Sequence, residues 1–297
     1  MLIQKPLIVS ALLTLTLSSL YAQNLQPAGD VASAPPDEKF AVNTEAWDSF
    51  ISFNGARIMG DPADHMFVPS ASYYTSYTSV GKRLSKSTIV PSFSTSGPLF
   101  GGDGYLTLSG VLPFDGDDTY QFNTLGGWKY RLLEYLDIDV GGGLALYDQN
   151  SFGAGQPSQL GSYYRSAFFF GIIGRLPLNP AAYVTYDSQL EQVQAIVGVS
   201  ETWKLAEEWT LFAEARLGQL SSQSYLGDSK SPVSGKWRNG YTYWLTTAEI
   251  SWTPIKNGTI AAGIGYTGNN DGTRGIENID LGPENTVYGK FSIAYSF

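Results

Sequence analysis

Residues 286–297 read TVYGKFSIAYSF. Val287, Gly289, Phe291, Ile293, Tyr295 and Phe297 share one parity, and Tyr288, Lys290, Ser292, Ala294 and Ser296 share the other. Side chains alternate across an extended strand. The stretch therefore presents one apolar, aromatic face and one polar or small face. A half-buried strand of a secreted β-sandwich would do the same. The setting is decided by whether the pattern repeats, at what length, and how the repeats are joined.

Read backward from residue 297, strands are expected near 286–297, 258–267, 241–253, 209–220, 191–204, 180–189, 163–177, 135–147, 119–130, 103–113, 87–97 and 70–81. Each is about ten residues long, the length a tilted strand needs to cross a bilayer. Residues 136–147 place Leu136, Ile138, Val140, Leu144 and Leu146 on one face and Asp137, Asp139, Gly141, Gly143 and Ala145 on the other. Residues 209–219 place Trp209, Leu211, Ala213, Ala215 and Leu217 opposite Glu214 and Arg216. Glu201 is an exception, a carboxylate on an apolar face near a strand end.

The connections sort by length. Those at 131–134, 177–180, 205–208 and 254–257 are tight. Those at 148–162, 221–240 and 268–285 are long, polar and Gly-rich, and only 114–118 and the link near Gln189 break the rule. Short turns at one end and long loops at the other belong to transmembrane barrels, and a sandwich has no reason to sort its loops so. Aromatics collect near strand ends, at Tyr120, Phe122, Trp128, Tyr130, Tyr163, Tyr164, Trp203, Trp209, Trp244 and Trp252, where interfacial girdles would lie.

Composition agrees. Charged residues make up 15% of the 297, against roughly 25% in soluble proteins. Aromatics reach 14%, yet the mean hydropathy is only −0.10, as expected where only alternate residues meet lipid. There is no Cys, which removes disulfides, thiolate metal sites and a cysteine-linked lipid anchor. A net charge of −9 argues against a nucleic-acid partner.

The chain starts MLIQKPLIVSALLTLTLSSLYA. Lys5, an apolar run over 7–17 and small residues near Ala22 have the pattern of a secretory signal peptide, 1–22, too short to span as a helix. Residues 23–45 read as a flexible Ala/Pro/Ser linker. Residues 46–60 read as an extra strand, a short plug or a periplasmic helix. The expected division is thus a leader at 1–22, an N-terminal segment at 23–66 and a barrel at 67–297.

Leader, repeated strands, sorted loops and an aromatic-ended last strand together resemble bacterial outer-membrane β-barrel proteins over residues 70–297. The resemblance implies an all-β fold: an antiparallel up-and-down transmembrane barrel of about 12 strands in the outer membrane. It implies lipid and the barrel-assembly machinery as partners, the latter reading Phe291, Ile293, Tyr295 and Phe297. Residues 73–118, with a Tyr/Ser/Thr-rich strand, a basic turn over 81–86 and the VPSFSTS strand at 90–96, resemble the start of an uncharacterised group of porin-like exported proteins.

Parity then names the lumen candidates: Lys129, Asp137, Asp139, Arg165, Arg175, Glu214, Arg216, Glu249 and Lys290, with Arg131 beside them. Asp137/Asp139 and Glu214/Glu249 are carboxylate pairs that a glycosidase could use. An ion-paired lining explains them better, because bases of matching parity lie nearby. The only His is His65, ahead of the barrel strands, so a Ser–His–acid arrangement on the barrel wall has no base. The acidic stretches at 115–118 and 269–284 match no calcium loop, so neither metal nor cofactor is expected. The expected function is passive diffusion of small polar solutes. The alternatives are a non-conducting surface or adhesion barrel acting through its loops and, more distantly, a barrel hydrolase. Oligouronate channels of similar size share the architecture, but their strongly basic lumen has no counterpart in these mixed charges. Oligomeric state leaves no mark in the sequence.

Overall fold

The computed structural model describes residues 66–79, 82–114, 120–147, 163–188, 192–221, 241–270 and 285–297. The expected leader, the segment at 23–65 with His65, and the acidic stretches at 115–118 and 271–284 lie outside the described residues. In chain order the strands are β1 (Met66–Tyr74), β2 (Tyr77–Ser79), β3 (Lys82–Ser85), β4 (Thr88–Leu99), β5 (Gly102–Pro113), β6 (Gln121–Leu133) and β7 (Leu136–Tyr147). They continue as β8 (Tyr163–Gly174), β9 (Ala181–Asp187), β10 (Gln192–Lys204), β11 (Trp209–Leu220), β12 (Thr242–Ile255), β13 (Gly258–Asn269) and β14 (Asn285–Tyr295). Twelve of them, β1 and β4 to β14, form one closed antiparallel barrel with each strand beside its chain neighbour. β2 and β3 form a separate hairpin.

Closure comes from β1 pairing with β14, Ser70 opposite Ala294 through Tyr74 opposite Lys290. The seam continues past the strands: Phe297 N–H donates to the Phe67 carbonyl at 2.9 Å, and Thr75 N–H to that of Gly289 at 3.0 Å. Each strand's backbone groups thus face a neighbour on both sides, as spanning a hydrocarbon layer requires.

The two faces are inverted relative to a soluble protein. Leu106, Phe168, Val184, Leu217, Ile264 and Val287 are exposed on the outside, while Thr107, Asn123, Asp139, Gln194, Glu214 and Thr267 are buried inside. In water that exterior would be a large uncompensated apolar patch; facing acyl chains it is the stable arrangement. Aromatics ring the turn side: Trp209 stacks on Trp252 at 5.7 Å and Trp128 on Tyr130 at 5.2 Å. Their polar edges are used, Trp128 Nε1 donating to the Leu99 carbonyl at 2.7 Å and Trp252 Nε1 to Glu208 at 3.0 Å.

The turn-side connections at 100–101, 134–135, 205–208 and 256–257 are two to four residues long, and that at 175–180 has six. Phe100 and Gly101 both take positive φ, 48° and 79°, the handedness that a two-residue hairpin needs. Glu201 finds its reason here. Its carboxylate accepts the N–H of Leu178, a non-glycine residue at φ 67°, at 2.7 Å, and so pins the six-residue turn.

The first strand departs from expectation. Alternation predicts 70–81, but β1 begins at Met66 and ends at Tyr74, and the chain then folds inward as the β2–β3 hairpin. Tyr74 and Tyr77 are both buried and meet edge to face at 5.8 Å. Thr75 Oγ1 accepts the Gly289 N–H at 2.8 Å, tying the turn to β14. The aromatic contact outweighs continued extension. Strand ends elsewhere move by at most three residues, β8 stopping at Gly174, not 177, and β6 running on to Leu133, not 130.

Ile264 lies mid-strand on the outer face of β13, 61% exposed. Ile264→Arg is expected to cost about 2–4 kcal/mol of folding free energy in a bilayer, read from urea titrations in lipid vesicles, whereas Ile264→Val stays near wild type.

Candidate functional site

The interior of the barrel gathers the polar side chains, and its charges are matched locally. Lys129 on β6 sits opposite Asp139 on β7, and Arg131 opposite Asp137. Arg175, in the turn after β8, donates Nε to both carboxylate oxygens of Asp137 at 2.9 and 3.0 Å. Glu214 and Arg216, two apart on β11, form an ion pair. Lys290 on β14 reaches Glu249 on β12 at 2.8 Å. That bridge passes over β13 at Gly263, which is in register with both Glu249 and Lys290. Each of these four candidate acids therefore has a base on its own or a nearby strand, which offsets the desolvation of both. Arg165 pairs through its backbone with Ala145 on β7; its side chain lies outside the described residues. Asp137 and Asp139 share a face but not a task, since their partners differ.

A second feature is not legible from parity. Five inward glycines each lie directly opposite an aromatic residue on the neighbouring strand: Gly127 and Tyr105, Gly141 and Phe169, Gly171 and Tyr183, Gly218 and Tyr243, Gly265 and Tyr288. In each pair the ring lies where a Cβ on the glycine would point. A Cβ would fall 2.1 Å from the Tyr183 ring at Gly171 and 2.0 Å from the Tyr243 ring at Gly218. Such rings lie tangentially along the wall and do not point at the barrel axis. Two of them share one anchor. Tyr105 Oη donates to one oxygen of Asp139 at 2.8 Å, and Tyr183 Oη to the other at 3.0 Å. Gln194 Nε2 donates to the Tyr243 hydroxyl. Tyr105, Leu125, Ala145, Ala167, Phe169, Tyr183 and Ile196 then form a continuous belt on β5 to β10.

Apart from Asp103, in register with Lys129, and Asp187, which is buried on the inner face of β9, the remaining wall is neutral. Ser70 bonds Ser92 at 2.6 Å, Ser94 bonds Thr107 at 2.9 Å, and Ser109 faces Asn123 across β5 and β6. At the loop-side end, Tyr77 of the inward hairpin packs with Tyr74, Val90, Val111, Leu245 and Tyr288, inward residues of β1, β4, β5, β12 and β14. The hairpin thus narrows the lumen on that arc. Tyr77, Tyr105, Tyr183 and Gln194 are absent from the parity-based candidates. The available signal was a tyrosine on the polar face of its strand, as Tyr183 is beside Thr185 and Asp187. Among the described residues no group of three or more His, Cys, Asp or Glu could hold a metal ion.

Gly171→Ala places a methyl group in the space of the Tyr183 ring. The expected cost is about 1–3 kcal/mol, measured as a lower urea midpoint, and Tyr183→Ala in the same chain is expected to relieve the clash component.

No protein-family model matches the chain, and no curated protein matches it in sequence. Among solved structures, an outer-membrane channel from Pseudomonas putida F1 is 11% identical, with 82% of this chain and 100% of that chain covered at a TM-score of 0.48. LpxR from Salmonella typhimurium is 7% identical, with 78% and 99% covered at 0.46. A KdgM porin is 8% identical, with 78% and 99% covered at 0.42. At these values the likenesses carry no argument, and the barrel assignment rests on the strand pairing itself. Closed on itself, apolar outside, polar inside and joined by tight turns at one end, the chain has the architecture of an outer-membrane β-barrel.

Proposed function

We propose that this protein is a narrow passive channel for small polar solutes. The observation that carries the reading is the tangential lie of the aromatic rings on the inner wall. Eight strands enclose a space that side chains just fill, and sixteen enclose an open aqueous channel. Twelve strands lie between, so rings pointing at the axis would close the lumen, whereas rings laid along the wall leave a passage. The matched charges temper the field along that passage. Its solutes are accordingly uncharged or zwitterionic, without a strong anion preference. Enzymatic action is disfavoured because the sole histidine, His65, precedes β1.

A non-conducting surface barrel is the second reading. It is favoured by the depth at which wall residues such as Asn123, Thr107 and Tyr243 are buried, and by the hairpin set into the loop-side half. In either reading lipid covers the outer face. Phe291, Ile293, Tyr295 and Phe297, exposed in a row on β14 and just beyond it, supply the surface for the assembly machinery.

Planar-bilayer recording of the refolded protein separates the readings. Discrete single-channel steps are expected, and their absence, with or without residues 23–65, sinks the channel. Neutralising Arg175 and Arg216 is expected to move ion preference toward cations; unchanged preference removes both from the narrowest point. Phe297→Ser is expected to slow insertion in cells, seen as unfolded protein accumulating before the membrane on heat-modifiability gels, with little change in the stability of refolded protein.

A further inference from the structure

We infer that Asp139 is a positioning residue that holds Tyr105 and Tyr183 against the wall and so sets the width of the lumen at its level. The consequence for width rests on the channel reading; the positioning does not.

The geometry is a three-strand unit used twice around one carboxylate. Tyr183 on β9, Gly171 on β8 and Asp139 on β7 stand in one register line. The ring of Tyr183 crosses the glycine, and its hydroxyl meets the acid on the strand beyond at 3.0 Å. From the other side, Tyr105 on β5 crosses Gly127 on β6 and meets the same acid at 2.8 Å. The unit recurs across the barrel, where Tyr243 on β12 crosses Gly218 on β11 to reach Gln194 on β10.

Both ends of each ring are thereby held. The glycine removes the Cβ that would lift the ring off the wall, and the partner one strand further on, an acceptor at Asp139 and a donor at Gln194, holds the hydroxyl down. A carboxylate is suited to the double role because both oxygens only accept, one for each phenol. An amide has one acceptor oxygen, and its N–H₂ holds a phenol only where that hydroxyl accepts, as Gln194 holds Tyr243. Phe169 over Gly141 has no hydroxyl, but its ring rests against Tyr183 at 6.2 Å between centroids, so its position depends on the same anchor. Lys129, in register with Asp139, completes the carboxylate's surroundings. A released ring can rotate about χ1 toward the axis, where it obstructs the passage.

The test compares wild type, Tyr105→Phe/Tyr183→Phe and Asp139→Asn by two readouts. In single-channel recording the double Phe variant, which keeps every charge, is expected to show lower unit conductance with new partly closed levels and unchanged ion selectivity. In a double-mutant cycle of Tyr183→Phe with Asp139→Asn, followed by urea unfolding in lipid, the two effects are expected to be non-additive. Wild-type unit conductance in the folded double Phe variant overturns the role in setting width, and additivity in the cycle overturns the positioning itself. Should wild type show no steps at all, the channel reading falls, and the cycle still decides whether Asp139 holds the rings.

Discussion

Every backbone N–H and C=O in the hydrocarbon layer must find a partner within the protein, since lipid offers none. An open sheet of eleven paired interfaces would still leave two unpaired edges. The pairing of β1 with β14 removes both. Strand length, outer polarity and turn economy all answer to that requirement. So does Glu201, whose carboxylate supplies an acceptor to a backbone N–H in a tight turn with positive φ.

Closure creates the second problem. Twelve strands enclose a wider space than the eight whose inward side chains just fill it. The chain meets this with two devices that share a logic. Charges are matched across or along strands, so that Glu249 and Lys290 meet over a glycine on β13. Large rings are laid sideways over glycines, with their hydroxyls bonded one strand further on. In both, glycine on the intervening strand is what lets two distant side chains meet along the wall.

The sequence revealed much of the fold because a bilayer strand imposes a strict code. Leu144 and Leu146 must face lipid, Asp137 and Asp139 must not, and a period of two records the difference. The parity of tight and long connections followed for the same reason. What parity cannot supply is register. Tyr183 and Asp139 are 44 residues apart and Tyr105 and Asp139 are 34 apart. Their meeting depends on the alignment of three strands, each of which could slip by two residues without changing its faces. The same gap hid the choice of partner for Arg175, whose parity was legible while its contact with Asp137 was not. The early end of β1 was hidden because Tyr73, Tyr74 and Tyr77 fit an extended strand as well as an inward turn. Only the packing of Tyr77 against side chains from distant strands decides between them.

The seam between β1 and β14 also governs how the protein can come apart. Sheets with edges fray from them, one strand at a time. A closed ring has no edge to fray. Unfolding must start by rupturing some strand pair within lipid, exposing a row of polar groups before any chain entropy is recovered. That places a large barrier on the unfolding side, so the folded barrel's lifetime is set by kinetics more than by its equilibrium margin. Formation carries the mirror cost. Thr75 and Gly289 meet across 214 residues, so the circuit cannot be completed until the last strand is in place, and the long-range closure cost falls on that one pairing.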